Sequence, residues 1–210
     1  MAAAPRLLLT AGPTREPIDP VRFLSNRSTG RMGFAIAQEA LARRWEVDLV
    51  LGPVEGSPPA GVGVTRIETA QQMLAASLAL LPRASAIVCA AAVSDFRVAA
   101  PATLKLKRRH GSPTLELVEN PDIAAALGAV RGERPMAIFA LETEAGGDEA
   151  RRKLHAKRAT LCVLNSPEAL GAQEARYKIL LPPDRWVDLG TLSKPDLARR
   201  LLAELLPDPA

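Results

Sequence analysis

The side chains with most chemistry to offer lie near the start of the chain. Asn26, Arg27, Ser28, Thr29, Gly30 and Arg31 bring an amide, hydroxyls, a glycine and cations to the point where an apolar helical pattern opens at Gly33-Phe34. A helix N-terminus carries unpaired N–H groups and the positive end of a dipole, so this composition suits an anion, a phosphate above all. A second set follows the apolar run Ala86–Ala91, where Val93-Ser94-Asp95 turns polar. Such a change at a strand's carboxyl end is where open α/β sheets bind ligands, although a lone Asp95 also suits an ordinary turn. A third set is Lys105 and Lys107. Alternation along Leu104–Val118 puts both on one face of a hairpin, either as a solvated edge or as a flap that lowers two charges onto a polyphosphate.

Other chemistries lack their residues. Gly12 is separated from Gly30 and Gly33 by the long loop, so no contiguous Gly-x-Gly-x-x-Gly follows the first strand, and no Gly-x-x-x-x-Gly-Lys-Ser/Thr or Gly-x-Ser-x-Gly occurs. His110 and His155 are too few and too far apart for a metal cluster. Cys89 and Cys162 sit inside apolar runs and read as small buried thiols. A phosphate site, a lysine pair and scattered carboxylates fit nucleotidyl or acyl-phosphate chemistry, where positioning and charge stabilisation suffice without a protein nucleophile.

The elements that position these groups follow from hydrophobic pattern. The strand Arg6–Ala11 and the helix from about Gly33 to Arg44 are joined by about twenty residues, where about 2 to 6 is usual, and a loop of that length is a binding loop. Pro13, Pro17 and Pro20 stiffen it. Strands at Glu46–Leu51, Val62–Ile67 and Ala86–Ala91 and a helix over Ala70–Leu81 with Met73, Leu74, Leu78 and Leu81 inward complete a β-α-β-β-α-β half. Asn120 is expected to cap a helix running through Val130, Met136–Leu141 and Thr160–Leu164 are further strands, and the charged helix from about Asp148 to Arg158 reads as a solvated outer face. Glu142–Glu144 and Asn165-Ser166 repeat the polar strand end. Tyr177–Leu181 and Arg185–Leu189 form a hairpin around Pro182-Pro183-Asp184, with Tyr177 and Trp186 covering the sheet edge, and Ser193 caps a last helix. The expected fold is a single α/β domain over 1–210: a three-layer, mostly parallel Rossmann-like sheet with a flap at about 97–118 and a C-terminal antiparallel hairpin at about 176–190.

Composition agrees. The chain is 48% hydrophobic but 3% aromatic, which disfavours base-stacking platforms, and its +4 charge is scattered, so anionic small molecules are favoured over nucleic acid. Met1–Pro5 is too short and uncharged for a signal peptide, and no run reaches the roughly 18 apolar residues of a membrane span, so a cytoplasmic, membrane-free location is expected.

The motifs Gly12–Gly33, Ala91-Ala-Val-Ser-Asp-Phe-Arg97, Lys105-Leu-Lys107, Leu117–Ile123 and Phe139-Ala-Leu-Glu-Thr-Glu144 resemble, in order, those of the phosphopantothenoylcysteine synthetase family. That resemblance implies a ligase of coenzyme A biosynthesis. The carboxylate of 4'-phosphopantothenate attacks the α-phosphate of CTP, or ATP, magnesium-bound pyrophosphate leaves, and the amine of L-cysteine displaces CMP from the acyl-nucleotide. It further implies that Asn26 contacts the acyl group, that Arg22, Ser28, Gly30, Ala91 and Ala92 hold the acid, and that Gly12, Asp95, Lys105, Lys107 and Phe139 serve the nucleotide, with Lys105 acting on the triphosphate. Magnesium comes with the nucleotide, with no protein ligand assigned. The resemblance implies a homodimer, with the late hairpin as a contact, and a flavin-dependent decarboxylase, fused or separate, as a partner.

Ile138, Leu141, Glu119 and Ser166 depart from the family pattern and bear on the choice of nucleotide. The alternatives are an NAD(P)-dependent Rossmann reductase, disfavoured by the missing glycine fingerprint, and a non-catalytic nucleotide-binding homologue.

Overall fold

The computed structural model describes residues 4–108, 114–141, 146–165 and 172–206. Strand β1 (Arg6–Ala11) is apolar on both faces, with Leu7, Leu8 and Leu9 all fully buried, because helices cover the sheet on both sides. The long loop after it is not structureless: β2 (Arg15–Pro17) and β3 (Phe23–Ser25) pair as a short antiparallel ribbon. Helix α1 (Arg31–Ala42) starts two residues earlier than its apolar stripe suggests, since Gly30 occupies its N-cap in the left-handed conformation. Strands β4 (Glu46–Leu51) and β5 (Gly63–Arg66) follow, then α2 (Ala70–Leu80), a 3-10 turn over Leu81–Arg83, and β6 (Ala86–Cys89). Leu78, expected inward, is 39% exposed, whereas Ser77 is buried.

Next come β7 (Phe96–Val98) and β8 (Leu117–Glu119), α3 (Ile123–Val130), β9 (Met136–Leu141), α4 (Gly146–Ala156) and β10 (Leu161–Asn165). The chain closes with β11 (Glu174–Leu181), β12 (Arg185–Ser193) and α5 (Lys194–Leu205). The eight-stranded sheet runs β12-β11-β10-β9-β6-β1-β4-β5, parallel from β5 to β10, with β11 and β12 antiparallel. From β1 the chain moves outward to β4 and β5, then returns to the other side of β1 at β6. The crevice between the carboxyl ends of β1 and β6 is therefore the topological switch point.

One face packs Leu7, Leu9, Ile36 and Leu49 against α1 and α5, with Leu201 and Leu205 inside. The other packs Leu8, Met73, Ile87, Leu127, Ile138 and Leu154 beneath α2, α3 and α4. Tyr177 does not cover the sheet edge. It is 3% exposed within the α1–α5 core, while Trp186 lies near Arg151 of α4.

Two local expectations change. The helix α3 is capped by Asp122, whose carboxylate accepts from the Ala125 amide at 2.9 Å, because the Asn120 side chain is engaged elsewhere. Leu104–Lys107, expected as the first arm of a hairpin, form no strand, so a period of two does not place Lys105 and Lys107 on one face; Leu117–Glu119 pair instead with Phe96–Val98, and the expected turn at 109–113 lies outside the described residues. His110, Glu142–Glu144 and Ser166 lie outside the described residues.

Candidate active site

The first loop is fastened over the switch point by polar contacts from both sides. The Ala92 amide donates to the Gly12 carbonyl at 2.9 Å, and the Ser94 amide donates to the buried Thr14 hydroxyl at 3.0 Å. Ser25 donates its hydroxyl to the Thr14 carbonyl at 2.7 Å. On the far side of the ribbon, the buried Glu16 accepts from the Ala70 amide at 2.9 Å, a carboxylate at the positive end of α2. Hence β3 delivers Asn26 to the mouth of the crevice, where its Nδ2 donates to the Ala92 carbonyl at 3.0 Å.

Below this loop, glycines distant in sequence meet. Gly12 has φ +79, Gly30 has φ +73, and a Cβ on Gly30 would lie 3.7 Å from the Gly12 Cα and 2.9 Å from Val54 Cγ1. A Cβ on Gly33 would lie 2.2 Å from that of Ala11, so α1 packs directly on β1. Turn, backbone approach and helix–strand packing are the three tasks of a dinucleotide glycine fingerprint, divided here by an inserted loop.

The resulting cleft has two lobes that share Arg27, Ser28, Ala91, Ala92, Phe139 and Leu141 in their walls. The larger, about 700 Å³, runs from Asn26 and Asp95 to the start of α3, with Lys153 and Lys157 among its lining residues. Lys157 Nζ is 3.3 Å from Asp122 Oδ2. The smaller, about 210 Å³, lies against the N-terminus of α1 and is lined by Gly30, Arg31, Asn165, Tyr177 and Lys194. Burial, and secondarily the charge of Arg31, lowers the pKa of Lys194 below the ordinary lysine value. Cys89 lines the larger lobe, but burial pushes its thiol up to about 12, so it is protonated at neutral pH.

Of the expected residues, Asn26, Ser28, Gly30, Ala91, Ala92, Asp95 and Phe139 come together around this cleft. Gly12 is buried beneath it and acts through its turn. Arg22, Lys105 and Lys107 do not line either lobe. Arg22 bonds instead to Asp19 and to the Leu106 carbonyl, and both lysines are exposed. The sequence reading missed Lys153, Lys157, Asn120, Asp122 and Lys194. Helix α4, read as a solvated face, is corrected by its placement of Lys153 at the cleft, with Lys157 just beyond it. Asn120, read as a helix cap, donates from Nδ2 to the Ser94 carbonyl at 2.8 Å and so ties the start of α3 to the segment between β6 and β7. Among the described residues, no helix is long and apolar enough to cross a membrane.

The model of the DNA/pantothenate metabolism flavoprotein C-terminal domain matches residues 2–207. The coenzyme A biosynthesis bifunctional protein CoaBC of Mycobacterium bovis is 44% identical over 176 residues, which is 78% of this chain and 42% of that protein. This chain therefore spans less than half the length of that curated relative. The crystal structure of the C-terminal domain of a CoaBC superposes with a TM-score of 0.83 at 34% identity, over 95% of this chain and 93% of that one. A Cab2 mutant in complex with phosphopantothenate-cysteine shares the fold, with a TM-score of 0.74 at 18% identity over 96% of this chain and 85% of its own.

Proposed function

Because the chain belongs to the DNA/pantothenate metabolism flavoprotein C-terminal domain family, we propose that it is a ligase joining 4'-phosphopantothenate to L-cysteine through an acyl-nucleotide. The observation that carries this reading is the two-lobed cleft with Asn26 and the Ala91-Ala92 backbone at its junction. Two substrates must meet there, the acid and the nucleotide that activates it. The smaller lobe, at a helix N-terminus with Arg31 and Lys194, suits the phosphate end of the acid. The larger lobe suits the nucleotide, with Phe139 beside the base and Lys153 and Lys157 near the phosphates.

In the first step an oxygen of the substrate carboxylate attacks the α-phosphorus, the bond to the bridging oxygen breaks, and pyrophosphate leaves. Asn26, oriented by its bond to the Ala92 carbonyl, has a second N–H to hold the reacting carboxylate. The small side chains of Ala91 and Ala92 leave the in-line approach open. Lys105, on its exposed segment, is assigned to the triphosphate and to the charge that builds as pyrophosphate departs. In the second step the cysteine amine attacks the acyl carbon, loses a proton, and expels the nucleoside monophosphate, leaving an amide.

Asp95 and Glu119 line the nucleotide lobe beside Asp122, which is already engaged by the Ala125 amide and Lys157. This donor set fits magnesium carried on phosphate oxygens better than a dedicated protein cage. A cytoplasmic homodimer and a flavin-dependent decarboxylase partner, fused or separate, belong to the same proposal, and a relative named as bifunctional supports the fused form. The exposed apolar side chains Val21, Phe23, Phe96, Leu104 and Leu117 lie on or beside the two ribbons, so the ribbons are a better surface for a second copy than the hairpin at 176–190.

Incubation with phosphopantothenate, cysteine, magnesium and either CTP or ATP should release pyrophosphate, and sedimentation of the same preparation should read a dimer. Silence with both nucleotides would remove the ligase. The assembled Gly12, Gly30 and Gly33 keep one rival in view, a nicotinamide-dependent reductase, which predicts tight NADPH binding by calorimetry.

A further inference from the structure

The β2–β3 ribbon and the segment that carries Lys105 are joined through one buried carboxylate. Asp19, 4% exposed at the turn of the ribbon, accepts at Oδ1 from the Val21 and Arg22 amides, each at 2.8 Å. Its Oδ2 accepts from Arg22 Nε at 2.9 Å, from Arg22 Nη2, and from the Leu106 amide at 3.1 Å. Arg22 Nη2 also donates to the Leu106 carbonyl at 2.9 Å, and the Ala102 amide donates to the Ile18 carbonyl at 2.9 Å. Both backbone groups of Leu106, the residue between the two lysines, are thus held by Asp19 and Arg22. No strand ladder secures Leu104–Lys107, and Leu104 is 79% exposed. The hydrogen bonds from Arg22, then those from the Val21, Leu106 and Arg22 amides, hold the Asp19 carboxyl far below the usual carboxylate range, so the clasp stays charged except in strong acid.

We propose that Asp19 is a positioning residue: it ties the substrate-enclosing loop to the lysine-bearing segment, fixing where Lys105 stands relative to Asn26. Ribbon and flap segment then move as one body, because the ribbon runs directly through β3 into Asn26. The proposal rests on the reading in which Lys105 acts on the nucleotide.

Asp19→Asn keeps the shape but removes the charge and an acceptor. In the ligand-free chain, hydrogen exchange at Leu106 should accelerate, with the β1 and β6 amides unchanged. Residues coupled through one network act non-additively, so Asp19→Asn should slow pyrophosphate release about tenfold in the wild type, and less than about twofold in a Lys105→Gln background. Equal losses in both backgrounds would make Asp19 merely structural, and a wild-type or faster rate would overturn the proposal. If Asp19→Asn fails to fold, Arg22→Met removes the half-exposed guanidinium and leaves Asp19 its backbone partners, and should give the same non-additive loss. Should the wild type itself release no pyrophosphate, the ligase reading fails. The exchange measurement still decides the clasp, since unchanged protection at Leu106 would end it.

Discussion

Asn26 sits where the two lobes meet, and its amide has one N–H committed to the Ala92 carbonyl. Asn26→Asp replaces that donor with a charge facing the Ala92 carbonyl and, on the proposed ligase reading, the carboxylate of the acid. Like charges repel and an acceptor is left against an acceptor, so the acyl-nucleotide should form at least about a hundredfold more slowly, as loss of a transition-state donor costs in other acyl transfers. Single-turnover pyrophosphate release measures it, and a wild-type rate would refute the role. Asn26, Ser28 and Asp95 were legible in the sequence because the amide, hydroxyl and carboxylate stand at strand and helix ends. Lys153 and Lys157 were not, because the charge-rich run from Asp148 to Arg158 has the composition of a solvated face. Their spacing of one helical turn was the available signal, since it puts both on one side. Asp19 was hidden more thoroughly. Between Ile18 and Pro20 it reads as a turn residue, and its distant partner at Leu106 leaves no local pattern.

At the scale of elements, the buried strands and their helices were legible because apolar runs covered on both faces admit few other placements. The ribbons were not. Arg15–Pro17 and Phe23–Ser25 are three residues each, too short to show a period, and Leu104–Lys107 alternate without forming a strand. The element that fixes the smaller lobe is α1, whose approach to β1 depends on Gly33. A Cβ there would overlap Ala11 at 2.2 Å, and neither partner is the end of a flexible chain. Gly33→Ala should therefore displace the N-terminus of α1 and cost about 1–3 kcal/mol of stability, the range for overpacking. Urea denaturation reads the loss. Phosphopantothenate KM should rise with it, whereas an unchanged midpoint would mean that helix and strand slide apart freely.

Across the whole molecule, the site draws on both ends of the chain: the loop after β1 and the first residue of α5. Lys194 lines the smaller lobe while the rest of α5 buries Leu197, Leu201 and Leu205 against the α1 side of the sheet. Anchoring and ligand contact can thus be separated within one helix. Leu201→Ala should cost about 2–5 kcal/mol of stability through the cavity it leaves, with little change in KM for the acid among folded molecules. Lys194→Met keeps the apolar stem but removes the charge, and should raise that KM severalfold with little change in stability. The pH dependence sharpens the distinction. Burial and Arg31 depress the Lys194 pKa, so the charged form that attracts an anion is lost, as pH rises, below the range where an exposed lysine would titrate. Affinity for phosphopantothenate should therefore fall on the alkaline side earlier than an exposed lysine predicts, and Lys194→Met should flatten that limb. Calorimetric titration of the acid across that pH range measures both, and an identical alkaline limb in the variant would remove Lys194 from the phosphate lobe.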